Sequence, residues 1–154
     1  MWKAFQRYKA LDPEARALFR RAVFLMPCIT LSLHIRGFKK TQRALQEQLS
    51  DASRDLQNGD QERDVEITCR MVKAGAHYSL IHPTCLAESL TLWYLLRRQN
   101  LPATLRIGVS KDSKKFEAHA WVECDGTALN QSEEPHQHYA AFDTGFSDIQ
   151  DNRP

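Results

Sequence analysis

A long amphipathic helix followed directly by alternating strands constrains this chain of 154 residues more than any other feature. The segment Cys85 to Arg98 contains neither glycine nor proline, and its apolar residues recur at helical spacing. Asn100 and Pro102 end the helix. Polar and apolar side chains then alternate, which is typical of strands with one buried face. The pattern predicts an α+β fold in which helices pack on one face of a small antiparallel sheet.

The predicted sheet is a meander of three strands. Its segments are a strand from Ala103 to Ser110, a loop from Lys111 to Lys115, a strand from Phe116 to Cys124, and a short strand from Thr127 to Asn130. Between the last two strands, Asp125-Gly126 predicts a tight hairpin turn.

Three further helices are predicted before Cys85. Asp12-Pro13-Glu14 marks a helix start, and Pro27 is expected to kink or end that helix. The remaining helical patterns cover Thr41 to Leu49 and Glu62 to Ala76, with a polar linker from Asp51 to Asp60 between them. We therefore predict an N-terminal helical region, residues 1–58, and a core that carries the chemistry, residues 59–154.

Charge and cysteine content restrict the cellular setting. The net charge of +2 provides no strong field for a polyanionic partner, although ten Lys and Arg residues lie between Lys3 and Arg43. The four cysteines are Cys28, Cys69, Cys85 and Cys124, and none forms a CxxC pair. With no signal peptide expected at the polar N-terminus, the pattern favours free thiols in the cytoplasm. The apolar run from Ala22 to Ile35 is predicted to be too short for a membrane span.

Cys85 is the candidate nucleophile. It follows Thr84 in the first turn of the predicted helix, where unpaired backbone N–H groups and the helix dipole favour negative charge. A thiolate is the reactive form of cysteine, and the same N–H groups can receive an oxyanion. A small buried cysteine is the alternative interpretation.

His119 is the candidate base. In Glu117-Ala118-His119-Ala120-Trp121-Val122-Glu123, alternation places His119, Trp121 and Glu123 on one face of the strand. A rigid strand can hold an imidazole near a helix N-terminus and so activate a thiol. A purely structural histidine remains the alternative.

A third residue is expected to orient the imidazole ring. Asn130 lies on the neighbouring short strand, close enough to face His119, whereas the adjacent Gln131 points to the opposite face. An amide can fix the ring tautomer, as in Cys-His-Asn sites. Asn130 also fits an ordinary end-of-strand turn position.

Several segments together resemble one family, the transglutaminase-like B2 leader peptidase of lasso peptide biosynthesis. These segments are Thr84-Cys85-Leu86-Ala87-Glu88-Ser89-Leu90, Leu95-Leu96-Arg97-Arg98, Pro102 to Val109, and Ala118 to Glu123 with Asp125-Gly126. The resemblance covers about residues 60 to 142. It implies a papain/transglutaminase-like core that removes the leader from a ribosomally made precursor. It also implies two partners, a small leader-recognition protein of the B1 type and an ATP-dependent cyclase that forms the macrolactam.

The resemblance makes Cys85 the nucleophile and His119 the base. The family usually carries an aspartate just after the asparagine that ends the third strand, and here that position is Gln131. Strand position favours Asn130 as the third residue and the resemblance favours Gln131, so Asn130 ranks first and Gln131 second. Asp143, or a dyad without a third residue, is a further alternative.

Other functional classes stay open or are set aside. No cofactor or metal is predicted, because His77, His82, His136 and His138 lack further ligands at a recognisable spacing. A zinc deaminase is excluded because its PCxxC motif is missing, and nucleic acid is not an expected partner. An acyl transferase on the same core, and a catalytically weak scaffold that binds the precursor and its maturation partners, remain alternatives to the peptidase.

Overall fold

The computed structural model describes residues 8–51, 60–79, 81–110, 118–130 and 139–141. Within these residues, four helices precede a four-stranded antiparallel sheet, which confirms the predicted α+β class. The helices are α1 (Pro13–Arg36), α2 (Phe38–Asp51), α3 (Gln61–Tyr78) and α4 (Cys85–Arg98). The strands are β1 (Thr104–Ser110), β2 (Ala118–Cys124), β3 (Thr127–Ala128) and β4 (Tyr139–Ala141), in the spatial order β3-β2-β1-β4.

Helix α1 corrects two sequence-based expectations. Pro27 does not end the helix, which continues for 24 residues, while the kink predicted as the alternative stays a prediction. Ala22 and Met26 before the proline, and Ile29 after it, are buried in one core, so packing on both sides offsets the lost backbone hydrogen bond. The argument that the apolar run is too short to span a membrane was therefore wrong on length. Its most apolar window has a mean hydropathy of 1.4 and is 28% buried, and both core helices of soluble proteins and signal sequences pass the same test of length and hydropathy, so the predicted lack of a membrane span stays untested.

One hydrophobic core joins helices from both sides of the predicted division at residue 58. Met26 of α1 and Leu45 of α2 are buried in the same cluster as Val72 of α3 and Leu90 of α4. At the closest approach of α1 and α3, a side chain on Gly75 would come within 3.0 Å of the Ala22 Cβ atom. The two predicted regions thus share packing, and the division itself stays a prediction.

Helix α4 lies at the centre of this arrangement. Most of its residues are buried, and Leu105 of β1 and Val122 of β2 belong to the same cluster as its side chains. Its bounds match the prediction, and Asn100 ends it in the left-handed conformation with φ of 58°. The helix therefore packs on one face of the sheet while its first turn remains open to solvent.

The hairpin between β2 and β3 also matches the prediction at its turn. Asp125 and Gly126 both have positive φ, 48° and 81°, as a type I′ turn requires. Strand β3 is shorter than predicted, because it comprises only Thr127 and Ala128. Strand β4 was not predicted and pairs with the end of β1. The predicted loop at 111–115 and the Asn58-Gly59 turn lie outside the described residues.

Candidate active site

Cys85 begins α4 and is exposed to solvent. Thr84 is the N-cap residue, and its Oγ1 accepts a hydrogen bond of 3.2 Å from the backbone N–H of Ala87. The thiol therefore stands at the first position of a capped helix that is otherwise buried. The position fits a nucleophile better than a packing residue.

The first turn of α4 still has backbone donors to offer. The N–H groups of Cys85 and Leu86 have no acceptor within the helix, because no helical carbonyl lies four residues before them. The N–H of Ala87 is used by the cap, and that of Glu88 donates to the carbonyl oxygen of Thr84 at 3.0 Å. Two donors beside the thiol therefore point out of the helix at its positive end.

A small cleft runs alongside Cys85. It measures about 240 Å³, and Thr84 and Leu86, the neighbours of Cys85 on both sides, line it together with Thr30, Leu33 and His34 of α1. Helix α1 thus forms one wall of the cleft beside the candidate nucleophile.

His119 lies near the start of β2 and is half-buried. Its register partner on β1 is Gly108, which has no side chain to crowd the ring. The ring stacks on Trp121, with centroids 6.3 Å apart and an interplanar angle of 17°. The stacking agrees with the predicted alternation, since both residues lie on the same face of the strand.

The Trp121 ring is held in turn by a buried carboxylate. Its Nε1–H donates to Glu123 Oε1 at 2.8 Å, and Arg106 Nε donates to the other oxygen of Glu123 at 3.0 Å. Trp121 is fully buried and Glu123 is nearly so. This chain from Arg106 through Glu123 to Trp121 fixes the surface on which the imidazole lies.

Beyond the end of β3, the outer edge of β2 is hydrogen-bonded by the backbone of Leu129 and the side chain of Asn130. Strand β3 pairs with Glu123 and Cys124, and among the residues that the structure describes no strand pairs with this edge of β2 beyond them. There the N–H of Leu129 donates to the carbonyl of Val122, and the N–H of Val122 donates to Asn130 Oδ1, both at 2.9 Å. The Asn130 amide therefore accepts the hydrogen bond that the backbone of a longer β3 would accept from Val122.

Ser89 of α4 reaches the same edge. Its hydroxyl donates to the carbonyl oxygen of Ala120 at 2.9 Å and accepts a bond of 2.9 Å from Asn130 Nδ2. We call Ser89, Asn130 and the β2 backbone groups of Ala120 and Val122 the edge clasp. Sequence reasoning missed Ser89 because a buried serine in a helix has no distinctive pattern, and only its spacing of four residues from Cys85 placed it on that face.

The described contacts of Asn130 bear on its predicted role without testing it. Its Oδ1 accepts from Val122, and a carbonyl oxygen has a second lone pair that can accept from an imidazole N–H. If the amide N–H group of Asn130 donated to the His119 ring instead, the ring nitrogen that faces away from the thiol would have to carry no proton. Orientation of His119 by Asn130 stays a prediction, while Gln131 and Asp143 lie outside the described residues.

A second group of cysteines lies at the opposite end of β2. Cys69 and Cys124 line a cavity of about 630 Å³ whose rim includes Glu62, Glu66 and Asp125. Burial, with a smaller contribution from Cys124, raises the pKa of Cys69 to about 11. Burial, followed by the charge and hydrogen bond of Asp125, also raises the pKa of Cys124. Burial therefore disfavours the thiolate at both positions, and the charge of Asp125 disfavours it further at Cys124.

The histidines weighed as metal ligands are not brought together where the structure describes them. His77 packs against Tyr78 with centroids 5.1 Å apart, and His82 is exposed between α3 and α4. Within the described ranges, no three His, Cys, Asp or Glu side chains are grouped so that they could hold a metal ion. His136 and His138 lie outside those ranges, so the predicted lack of a metal stays a prediction.

Comparison with protein families finds a match that covers most of the chain. The family model described as "Transglutaminase-like superfamily" matches residues 28–143, which include Cys85, His119 and Asn130. No curated protein and no solved structure matches the chain.

Proposed function

The chain belongs to the transglutaminase-like superfamily, which includes cysteine peptidases and acyltransferases, and from this premise we propose that it is a cysteine peptidase. Its proposed substrate is the precursor of a lasso peptide, from which it removes the leader in the cytoplasm. Proposed partners are a B1-type recognition protein that presents the leader and the cyclase that receives the freed core. The substrate and partners follow from the resemblance of residues 60 to 142 to the B2 leader peptidases.

One observation carries the proposed chemistry. Cys85 is exposed at the capped N-terminus of α4, and the next turn of that helix is hydrogen-bonded to Ala120, the neighbour of His119. A reactive thiol and an imidazole are thus carried by two elements that are directly joined. This juxtaposition favours catalysis over a packing role for Cys85.

In the proposed reaction, His119 takes the proton of the Cys85 thiol, and the sulfur attacks the carbonyl carbon of the scissile amide. The N–H groups of Cys85 and Leu86 are placed to stabilise the resulting oxyanion. The imidazolium then gives its proton to the departing amine, which leaves a thioester on Cys85. Attack by water, with His119 again as base, releases the leader and restores the thiol.

Asn130 is proposed as the third residue, with Gln131 as the alternative. An amide oxygen that accepts from the far ring N–H would keep the other ring nitrogen available to the thiol. Since an amide carries no charge, it stabilises the imidazolium less than a carboxylate does. We therefore expect modest turnover compared with a full Cys-His-Asp site.

The test is a cleavage assay with the precursor peptide and leader-binding protein encoded nearest to this gene, followed by mass spectrometry. The wild-type chain should release the intact leader, and Cys85→Ala should lower the rate by about 10³-fold or more. Cys69→Ala, at the other end of β2, should stay within about twofold of wild type. Full activity of Cys85→Ala would overturn the proposal. An amide between the leader and an added amine would instead show an acyl transferase, because the leader is the group held as the thioester on Cys85.

A further inference from the structure

The edge clasp joins the helix that carries Cys85 to the strand that carries His119. Ser89 follows Cys85 by four residues, so both side chains lie on the same face of α4, one turn apart. Ala120, which accepts the Ser89 hydroxyl, directly follows His119 in β2. Cys85 is therefore one helical turn from this hydrogen bond, and His119 is one residue from it.

The directions of these hydrogen bonds are fixed by chemistry. The backbone N–H of Val122 can only donate, so the amide atom that faces it must be the oxygen of Asn130. The amide nitrogen then faces Ser89 and donates to its hydroxyl oxygen. The single hydroxyl hydrogen of Ser89 is left to donate to the Ala120 carbonyl, so each group has one consistent role.

The hydrogen bond between Ser89 and Ala120 in the clasp is also buried. Ser89 is fully buried and Ala120 is 2% exposed, so water does not compete readily for their bond. Residues 120 and 122 both direct their backbone groups to the β3 side of β2, whereas those of His119 face β1. The bond therefore holds α4 against the β3-side edge of β2 without engaging the imidazole.

We propose that Ser89 is a positioning residue that fixes where the first turns of α4 lie against strand β2, and so sets the position of the Cys85 thiol relative to His119. Asn130 acts through Ser89 by holding its hydroxyl in the donating direction. This inference rests on the proposed function of Cys85 and His119. Displacement of a reacting group by about 1 Å can cost about 100-fold in rate, so a positioning bond at this place has a large effect on catalysis.

Helix α4 offers a matched control in Thr91. It is fully buried like Ser89, but its hydroxyl donates to the carbonyl of Ala87 within the same helix, at 2.8 Å. Ser89→Ala and Thr91→Val each remove one buried hydroxyl from α4. Only the first removes a bond between helix and strand.

The first experiment measures kcat and KM for precursor cleavage together with the thermal midpoint of unfolding. We expect Ser89→Ala to lower kcat by about 10- to 100-fold with KM nearly unchanged. Thr91→Val should lower the unfolding midpoint to a similar extent and keep kcat within about twofold. Equal kcat values for the two variants would overturn the proposal, while inactivity of Cys85→Ala would still support the peptidase.

The second experiment needs no substrate. It measures the rate at which iodoacetamide alkylates Cys85 at pH 7, by peptide mapping, in wild type, His119→Ala, Ser89→Ala and Thr91→Val. We expect Ser89→Ala to show most of the rate loss caused by His119→Ala, and Thr91→Val to react like wild type. A wild-type rate in Ser89→Ala would contradict the positioning role even if no precursor were cleaved.

Asn130→Asp separates the two roles of the amide. The carboxylate still accepts from Val122 but cannot donate to Ser89, whose hydroxyl would turn toward it and leave Ala120. If Asn130 acts through Ser89, Asn130→Asp lowers kcat by about 10-fold and adds little loss to Ser89→Ala. If Asn130 acted only by orienting the His119 ring, the carboxylate would maintain or raise kcat, which would contradict this part of the proposal.

Discussion

The two ends of strand β2 lie beside cysteines in opposite settings. At the His119 end, Cys85 is exposed at the start of a capped helix, beside a narrow cleft. At the other end, Cys69 and Cys124 line a larger cavity with acidic residues at its rim. The larger cavity is therefore not the one beside the candidate nucleophile.

From this difference in helix position, burial and charge we predict which thiol reacts. Cys69 lies in the middle of α3, where backbone N–H groups are already bonded within the helix. Its pKa is raised to about 11, and Asp125 adds negative charge near Cys124. A thiolate is disfavoured at this end by burial and repulsion, whereas the first turn of α4 favours negative charge.

Alkylation of the four cysteines at pH 8 gives the largest expected contrast. A thiol with a pKa of about 11 is only about 0.1% ionised at this pH, so Cys69 should react about 100-fold more slowly than an ordinary exposed thiol. Cys85 should react first, and Cys28, which is exposed in the middle of α1, provides the matched exposed control. Quantitative peptide mapping measures the order. Faster alkylation of Cys69 or Cys124 than of Cys85 would contradict the predicted difference between the two ends of β2.

The next largest effect concerns Glu123, which lies between the two ends of β2. Glu123→Gln keeps an oxygen for the Trp121 indole but removes the charge that pairs with Arg106. Because Arg106 is 29% exposed, we expect a loss of about 2 kcal/mol in the free energy of unfolding, less than for a fully buried pair. Urea titration measures it.

A control for Glu123 is available in the exposed pair between Arg43 and Glu47, joined at 3.0 Å. Glu47→Gln should change the unfolding free energy by less than about 0.5 kcal/mol. Equal losses in the two variants would show that burial of the Glu123 carboxylate does not matter to stability.

The cap of α4 is expected to contribute less. Thr84→Ala removes the acceptor for the Ala87 N–H and should cost about 1 kcal/mol of unfolding free energy, while Thr84→Ser should retain most of it. Asp12, at the N-cap of α1, makes no side-chain capping bond, so Asp12→Ala should cost less than Thr84→Ala. Urea titration compares the three variants. A larger loss in Asp12→Ala would contradict the assignment of Thr84 as the working cap.

The parts predicted from sequence are those that local chemistry encodes. Helix α4 was predicted to its end residues because its apolar residues recur at helical spacing and Asn100 and Pro102 follow it; the structure adds the Thr84 cap and the left-handed conformation of Asn100. The turn at Asp125-Gly126 was predicted because few residue pairs accept positive φ at both positions. The shared face of His119 and Trp121 follows from the two-residue period of a strand.

The missed parts depend on contacts distant in sequence. Pro27 stays inside α1 because core residues on both sides of it pack against other helices, which no local rule includes. The clasp joins Ser89 to Ala120, 31 positions away, and to Asn130, 41 positions away. Its existence depends on β3 being only two residues long, and Leu129 and Asn130 gave no signal that the ladder would end before them.

The smallest expected effect tests the charge at the Cys124 end directly. Asp125→Asn removes the negative charge that helps to raise the pKa of Cys124, while asparagine accepts the φ of 48° at this turn. Since burial, the larger cause, is unchanged, the pKa should fall only partly and Cys124 should be alkylated about 3-fold faster at pH 8. Cys85 should keep its rate, because it lies at the other end of α4 and β2. If the alkylation rate of Cys124 is unchanged, burial alone raises its pKa. The acidic residues around the cavity would then not contribute to the contrast between the two ends of the strand.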